Sequence, residues 1–422
     1  MNQKNTSPAS SLLGFRPVPK TGVIYVMTEA SKAGFDKERN LWANLGQGAP
    51  ETGQLPESPS RIENISVSED ALEYSPVVGL GELRDAVAEL YNRRYRVGKT
   101  SKYSRENVAI CSGGRLALTR LVSTLGPTNI GHFLPDYTAY EELLESFGRF
   151  VPIPILREPE HHYQFSAAQL RKEILGRGLS VVLLSNPSNP TGNVIHGQQL
   201  DDWVQTAREL DCSLMIDEFY SHYLYGLDSN YVSAAEFVED VNRDPIILFD
   251  GLTKNWRYPG FRVSWTVGPP QVIEALSSAG SFLDGGCARP MQEAAIRLLK
   301  PEVADEEARA IRKTFSSKRQ LMMNGLTKLG IRVDSAPVGT FYCWGNLEEL
   351  PESIRSGMSF FRKALEEKVI VVPGVFFDIN PGQRRPSRAS RFGTYVRFSF
   401  GPPVEEIELG LEGLKRTIAN AG

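Results

Sequence analysis

The stretch Ile246-Ile247-Leu248-Phe249-Asp250-Gly251-Leu252-Thr253-Lys254 decides how this chain is read. Four apolar residues form a strand, and the polar turn behind it carries one lysine. That pattern is expected where a side chain is delivered to a cleft at the carboxyl edge of a parallel sheet, because both faces of such a strand are buried while its end opens on the crevice. An amine placed there can condense with an aldehyde. A fixed positive charge, Arg262, follows eight residues on. The plain alternative is a surface lysine after a strand.

Two further apolar runs end in chemically distinctive turns. Val181-Val182-Leu183-Leu184 leads into Ser185-Asn186-Pro187-Ser188-Asn189-Pro190-Thr191-Gly192, and Ser213-Leu214-Met215-Ile216 leads into Asp217-Glu218-Phe219-Tyr220. Each has an ordinary explanation, the first as a turn rich in asparagine and proline, the second as an acidic helix cap. Apolar strands alternate with helical patterns from about Tyr91 to Trp265, which predicts a parallel or mixed sheet covered on both faces. Leu80, Leu83, Val87, Leu90 and Tyr91 trace one face of a helix entering that region.

Together these turns resemble the landmarks of class I/II, fold-type I, pyridoxal-phosphate-dependent aminotransferases. Thr253-Lys254-Asn255-Trp256-Arg257-Tyr258-Pro259-Gly260-Phe261-Arg262 resembles the family's lysine motif, and residues 185–192 match its Asn-Pro-x-Asn-Pro-Thr-Gly motif. The resemblance implies an α/β fold, with a large domain built on a mostly parallel seven-stranded sheet covered by helices and a smaller α+β domain. Residues 1–75 would form an arm and part of the small domain, 76–300 the large cofactor-binding domain, and 301–422 the rest of the small domain. Expected small-domain strands are Ile331 to Val333, Phe341 to Trp344, Val369 to Val372 and Thr394 to Phe398. A long charged helix is expected from Asp305 to Leu329.

The resemblance also assigns roles. Lys254 would hold pyridoxal 5'-phosphate, Asp217 would pair with its pyridine nitrogen, and Asn189 and Tyr220 would donate to its phenolic oxygen. Tyr137, in Pro135-Asp136-Tyr137-Thr138-Ala139-Tyr140, would stack on the ring. Arg262, Thr253, Gly113 and Gly114 would form the phosphate cup, the glycines in the turn Ser112-Gly113-Gly114-Arg115 that opens a helix whose free N–H groups suit an anion. Tyr74, in Tyr74-Ser75-Pro76, would reach the phosphate of a neighbouring subunit, which implies a homodimer with shared sites. Arg397, in Tyr395-Val396-Arg397-Phe398-Ser399, would grip the substrate's α-carboxylate as a bidentate pair that lysine cannot copy. Gly48, in Leu45-Gly46-Gln47-Gly48-Ala49-Pro50, and Asn189 would line the same substrate site.

Several positions depart from the family pattern. Many relatives carry a hydroxyl three residues before the lysine, where this chain has Gly251, and Gly114 and Leu116 replace other frequent hydroxyl positions. Ser264 stands where a glycine is common. Arg115 is an unusual cation beside the cup, placed to contact phosphate or substrate, or else solvated at a helix start. In aspartate-specific relatives a partner-subunit arginine binds the distal carboxylate. Here that neighbourhood reads Ser281-Phe282-Leu283-Asp284-Gly285-Gly286-Cys287. With Asp284 in place of the arginine, aspartate and glutamate are expected to be poor donors and a neutral or basic amino acid to be preferred.

Composition agrees with a globular enzyme. At 422 residues the chain exceeds one ordinary core, so two domains are expected. A net charge of -3 gives no reason to expect nucleic acid or an anionic membrane as partner. Cys111, Cys212, Cys287 and Cys343 have no metal-ligand spacing, so no metal is expected and reduced thiols in the cytosol are. Met1 to Ser11 is polar, without the apolar core of a signal peptide, and no run reaches the ~18 apolar residues that span a membrane. Pro381 to Arg391, with four arginines, reads as a polar loop, or more sharply as a basic recognition patch. The expected activity is transfer of an amino group between an amino acid and a 2-keto acid. The same cofactor scaffold also supports elimination or replacement, as in 1-aminocyclopropane-1-carboxylate synthase, or oxidation of amino acids, and a catalytically silent regulatory domain is the alternative from another class.

Overall fold

A computed structural model of the chain describes residues 22–386 and 389–422. The strands are β1 (Ala43–Asn44), β2 (Val108–Cys111), β3 (Asn129–Leu134), β4 (Val151–Leu156), β5 (Val181–Ser185), β6 (Ser213–Asp217), β7 (Ile246–Gly251), β8 (Ser264–Val267), β9 (Arg332–Val333), β10 (Tyr342–Asn346), β11 (Val369–Ile370), β12 (Val372–Pro373) and β13 (Tyr395–Ser399). A seven-stranded sheet runs β2-β8-β7-β6-β5-β3-β4. Its strands are parallel except β8, which is antiparallel to both β7 and β2.

The continuous apolar runs follow from burial of both faces. Along β7, Ile247 and Phe249 join one core cluster while Ile246 and Leu248 join the other. A strand's side chains alternate across the sheet, so a polar residue inside such a run would leave an unsatisfied group on one face. The run ends where β7 reaches the sheet edge.

The second unit is a four-stranded antiparallel sheet, β12-β13-β10-β9, beside the parallel pair β1-β11. Ala43 pairs with Val369, so the early chain packs into the same unit as the late chain. The long helix is Pro301–Lys328 and begins earlier than the expected Asp305. Proline is well placed in a helix's first turn, where its missing N–H has no intrahelical partner.

All four cysteines are buried and free. Among the described residues no helix is long and apolar enough to cross a membrane, and no cluster of metal-ligating side chains occurs. Met1 to Ser11 lies outside the described residues. In the Pro381–Arg391 loop, Arg385 pairs with Asp378 at 2.7 Å and Arg391 approaches Glu158 at 3.9 Å, so part of its charge is spent within the molecule. Ser387 and Arg388 lie outside the described residues.

Candidate active site

A cavity of about 430 Å³ opens at the carboxyl ends of the central strands, between the two units. On its wall are Lys254 and Thr253 from the turn after β7, Asp217 from the end of β6, Asn189 and Ser185 from the end of β5, and Arg397 from β13. Gly48, Gly114, Arg115, Tyr137, Tyr220 and Arg262 complete the set of expected residues on that wall. Residues scattered over most of the sequence meet here because parallel strands all deliver their carboxyl ends to one edge.

The amine of Lys254 donates to the carbonyl of Gly48. Burial lowers its pKa to about 7, and the positive charges of Arg397, Arg115 and Arg262 push the same way against Asp217. Its main chain is fixed by Tyr223, whose hydroxyl donates to the Lys254 carbonyl at 2.9 Å. The next residue, Asn255, is fully buried and donates to Asp250 at 2.7 Å and Ser221 at 2.9 Å. The lysine turn is thus bolted to the turn that follows Asp217.

Asp217 is 7% exposed. Burial raises its carboxyl to about 6, opposed by the Phe219 N–H, the Tyr140 hydroxyl and the Lys254 charge. Tyr140 donates to Oδ2 at 3.1 Å. Tyr220 and Tyr342 share a hydrogen bond of 2.9 Å. Arg397 is buried; Nη1 donates to Asn189 Oδ1 at 3.0 Å and Nη2 to the Gly46 carbonyl at 2.8 Å. Its guanidinium lies 4.0 Å from the Tyr342 ring centroid. Its Nε is buried with no partner among the described residues.

Two glycines stand at the end of the site near Arg262 and Phe219. Gly113 has φ +91°, and a Cβ there would stand 1.9 Å from Arg262 Nη2. The Gly113 N–H is already donated to Cys111 O at 2.8 Å, so this residue supplies room for the arginine rather than a donor. Gly114 opens the helix Gly114–Thr124, and a Cβ on it would meet the Phe219 ring at 2.6 Å. The first N–H groups of that helix have no intrahelical partner. Thr253 Oγ1 is buried on the cavity wall without a partner among the described residues, a costly position unless a polar group completes it. An anion with a carbonyl-bearing aromatic ring, as in pyridoxal phosphate, fits this donor set. Arg115 donates to Tyr137 Oη at 3.1 and 3.3 Å, and both residues are on the cavity wall.

Two expectations about replaced residues resolve into packing. Gly251 and Ser264 face each other across the β7–β8 pair. A Cβ on Gly251 would lie 2.6 Å from Ser264 Cα and 2.7 Å from Ser264 Cβ. A side chain at Gly251 would therefore meet the neighbouring backbone, Ser264 Cα and the Val263 carbonyl, as well as the serine Cβ, and the Ser264 hydroxyl donates to Cys111 O at 3.1 Å.

Asp284 follows the helix Pro270–Leu283. It is not on the cavity wall; its carboxylate is held by the buried guanidinium of Arg120, with Nε to Oδ2 at 3.0 Å and a second contact from Nη2 to Oδ1. Arg120 has no exposure, and an unpaired buried guanidinium costs several kcal/mol, so Asp284 is needed as its counter-charge. Within one chain, Asp217 is the acid on the cavity wall among the described residues, and the Asp284 carboxylate is committed to Arg120.

Tyr74 is 95% exposed and stands off the cavity wall within its own chain. Among the wall and contact residues that the sequence did not single out are Tyr140, Phe219 and Tyr342. Tyr140 had a usable signal, lying three residues after Tyr137 where the chain turns into the helix Ala139–Ser146. Tyr342 had none, because it reaches the site through the pairing of β10 with β13.

A sequence profile described as aminotransferase class I and II matches residues 41–413. The chain is 27% identical to the aspartate/prephenate aminotransferase of Thermus thermophilus, over 89% of this chain and 91% of that protein. It is also 27% identical to the valine–pyruvate aminotransferase of Mycobacterium tuberculosis, over 88% and 89% of the two chains. Among solved structures, an aminotransferase from Mycobacterium tuberculosis superposes with a TM-score of 0.77 at 24% identity, covering 98% of this chain and 100% of that one. With the lysine, carboxylate and arginines gathered at one sheet edge and the profile spanning nearly the whole chain, the protein belongs to the class I and II aminotransferases, fold-type I enzymes that transfer amino groups with pyridoxal phosphate.

Proposed function

We propose that the cavity moves an amino group between an amino acid and a 2-keto acid, with Lys254 holding the cofactor and carrying the proton. The single observation that carries this reading is the convergence of Lys254, Asp217, Arg262 and Arg397 on one wall. Pyridoxal phosphate, when bound, supplies a protonated pyridine ring that withdraws electrons from the substrate's α carbon. Asp217 would keep the ring nitrogen protonated, which suits a buried carboxylate with one strong cationic partner. Asn189 accepts from Arg397 through Oδ1, so its Nδ2 is the edge left to donate to the phenolic oxygen, beside the Tyr220 hydroxyl. Tyr137 would cover the ring. Thr253, the first N–H groups of the helix at Gly114, and Arg262, seated in the room that Gly113 leaves, would hold the phosphate. Arg115 would touch phosphate or substrate.

Arg397 would take the α-carboxylate. Burial and its unpartnered Nε make the guanidinium a ready anion site. Gly48 lies beside it, with room for a Cβ only 3.3 Å from Tyr342 Oη and 4.0 Å from Arg397 Nη2. An amine held to about 7 is partly unprotonated at neutral pH, so Lys254 can take the proton from the substrate's α carbon and deliver it again. We further propose a homodimer in which the exposed Tyr74 serves the partner's phosphate. The proposed units are 76–300 for the cofactor and 1–75 with 301–422 for the small domain. The buried free thiols support a reducing, cytosolic setting.

Borohydride reduction followed by peptide mass spectrometry tests the central assignment. In the wild type the cofactor should be fixed covalently at Lys254, and in Lys254→Ala covalent fixation should vanish with activity falling by more than roughly 10²-fold. Fixation on another lysine would overturn it.

A further inference from the structure

Behind the site lie two opposite charges that the proposed chemistry does not use. Asp136 has no exposure and Arg157 is 2% exposed. β3 and β4 are parallel with Leu134 opposite Leu156, so both residues leave the same sheet edge side by side. Asp136 Oδ1 accepts from the Tyr137 N–H at 2.8 Å and from the Ser185 hydroxyl at 2.6 Å. Ser185 Oγ in turn accepts from the Asn189 N–H at 3.1 Å. On the other side, Arg157 Nη1 donates to Ser188 Oγ at 3.3 Å and its guanidinium lies 4.1 Å from the Phe133 ring centroid.

Three polar atoms remain. Asp136 Oδ2, Arg157 Nε and Arg157 Nη2 are buried with no partner among the described residues. Burial raises the Asp136 carboxyl to about 7 and lowers the Arg157 guanidinium to about 10, and in each case the other residue's charge opposes the shift. The two charges therefore act on one another without forming a direct ion pair. A buried water is stable where it meets two to four polar partners, and these three atoms provide that number.

We propose that one buried water joins Asp136 Oδ2 to the guanidinium of Arg157, and that this charge pair makes Asp136 a positioning residue for Tyr137 and Asn189. Held on one side by the water and arginine, the carboxylate fixes the Tyr137 main chain directly and the Asn189 main chain through the Ser185 hydroxyl. Because Arg397 donates to Asn189 Oδ1 at 3.0 Å, the arrangement extends to the arginine of the substrate site. The inference rests on the ring and phenolic-oxygen roles proposed above for Tyr137 and Asn189.

The charge pair is tested by thermal melting of the cofactor-loaded protein. Asp136→Asn keeps the acceptor for Tyr137 and Ser185 but strands a buried cation, and Arg157→Gln strands a buried anion. Each should lower Tm, and the double variant should lose clearly less than the sum of the two. Additive losses overturn the pair. A crystal structure with a water bonded to both side chains supports the bridge; direct contact between them overturns it.

Positioning is tested by titrating the visible absorption of the bound cofactor against pH. Asp136→Ala and Asn189→Ala should move the midpoint in the same direction by about half to one unit, and the double variant no further than Asn189→Ala alone. A shift in Asn189→Ala with none in Asp136→Ala overturns the positioning role, as do fully additive shifts. If Asn189→Ala itself leaves the midpoint in place, the role proposed for Asn189 fails and positioning falls with it, while the melting cycle still decides the charge pair. Should Asp136→Ala not fold, Ser185→Ala takes its place, because it removes the hydroxyl that joins Asp136 to the Asn189 N–H.

Discussion

Arg397 and Asp217 are both buried charges, but they meet different partners and should fail in different ways. Arg397 gives Nη1 to Asn189 and Nη2 to Gly46, and its buried Nε has no partner among the described residues. Asp217 is held by Tyr140 and the Phe219 N–H, which fixes its carboxylate where a ring cation would meet it. Steady-state kinetics should therefore separate them. Arg397→Ala is expected to raise KM for the amino donor, at a cost of about 2–5 kcal/mol in kcat/KM if the lost pair is desolvated. Asp217→Ala is expected to lower kcat on the order of 10²- to 10³-fold, the loss typical of one preorganised electrostatic group. An Arg397→Ala enzyme with unchanged donor KM would exclude the carboxylate role. Asp284 illustrates the opposite case: its residue type fitted a substrate role, and its buried partner Arg120 takes the charge for structure.

At the scale of elements, β7 and β8 show how one local replacement is answered by another. Gly251 and Ser264 each look like an isolated departure along the chain. In the sheet they are a cross-strand pair, and the serine occupies the volume beside the glycine. Gly251→Ser alone should force Ser264 and the Val263 carbonyl apart, destabilising the folded enzyme by about 1–3 kcal/mol, the usual cost of overpacking. The double exchange Gly251→Ser/Ser264→Gly should recover only part of that loss in denaturant unfolding, because Ser264→Gly removes the Cβ contact and leaves those with the Cα at 264 and the Val263 carbonyl. Full additivity would show that the two side chains do not share the space.

For the whole molecule, the cavity lies between units that both ends of the chain help to build. Lys254, Asp217 and Asn189 come from the strand ends of the seven-stranded sheet and Arg397 from the small one, so the four line one cavity because the two sheets are packed together. Tyr74 stands exposed outside this arrangement. A homodimer with exchanged tyrosines makes a specific demand. Mixed subunits of Tyr74→Ala and Lys254→Ala should form one site with both residues intact, recovering activity that neither variant has alone. Light scattering should give twice the chain mass, and an active monomer that binds cofactor would contradict the shared site.

The sequence by itself determined the sheet and the chemistry at its edge. Runs such as Ile246 to Phe249 must be buried on both faces, and the polar turn after each must open on the crevice, so Lys254, Asp217 and Asn189 were readable as strand-end residues. Arg262 and Arg397 were readable through motif likeness. Only the tertiary structure decided what depends on a partner far along the chain: Tyr342 beside Tyr220, Ser264 against Gly251, Arg120 claiming Asp284, and Arg157 facing Asp136. A residue's type and neighbours in sequence set its intrinsic chemistry, whereas its charge state, its free hydrogen-bonding atoms and the room around it are set by which distant side chains packing brings into contact.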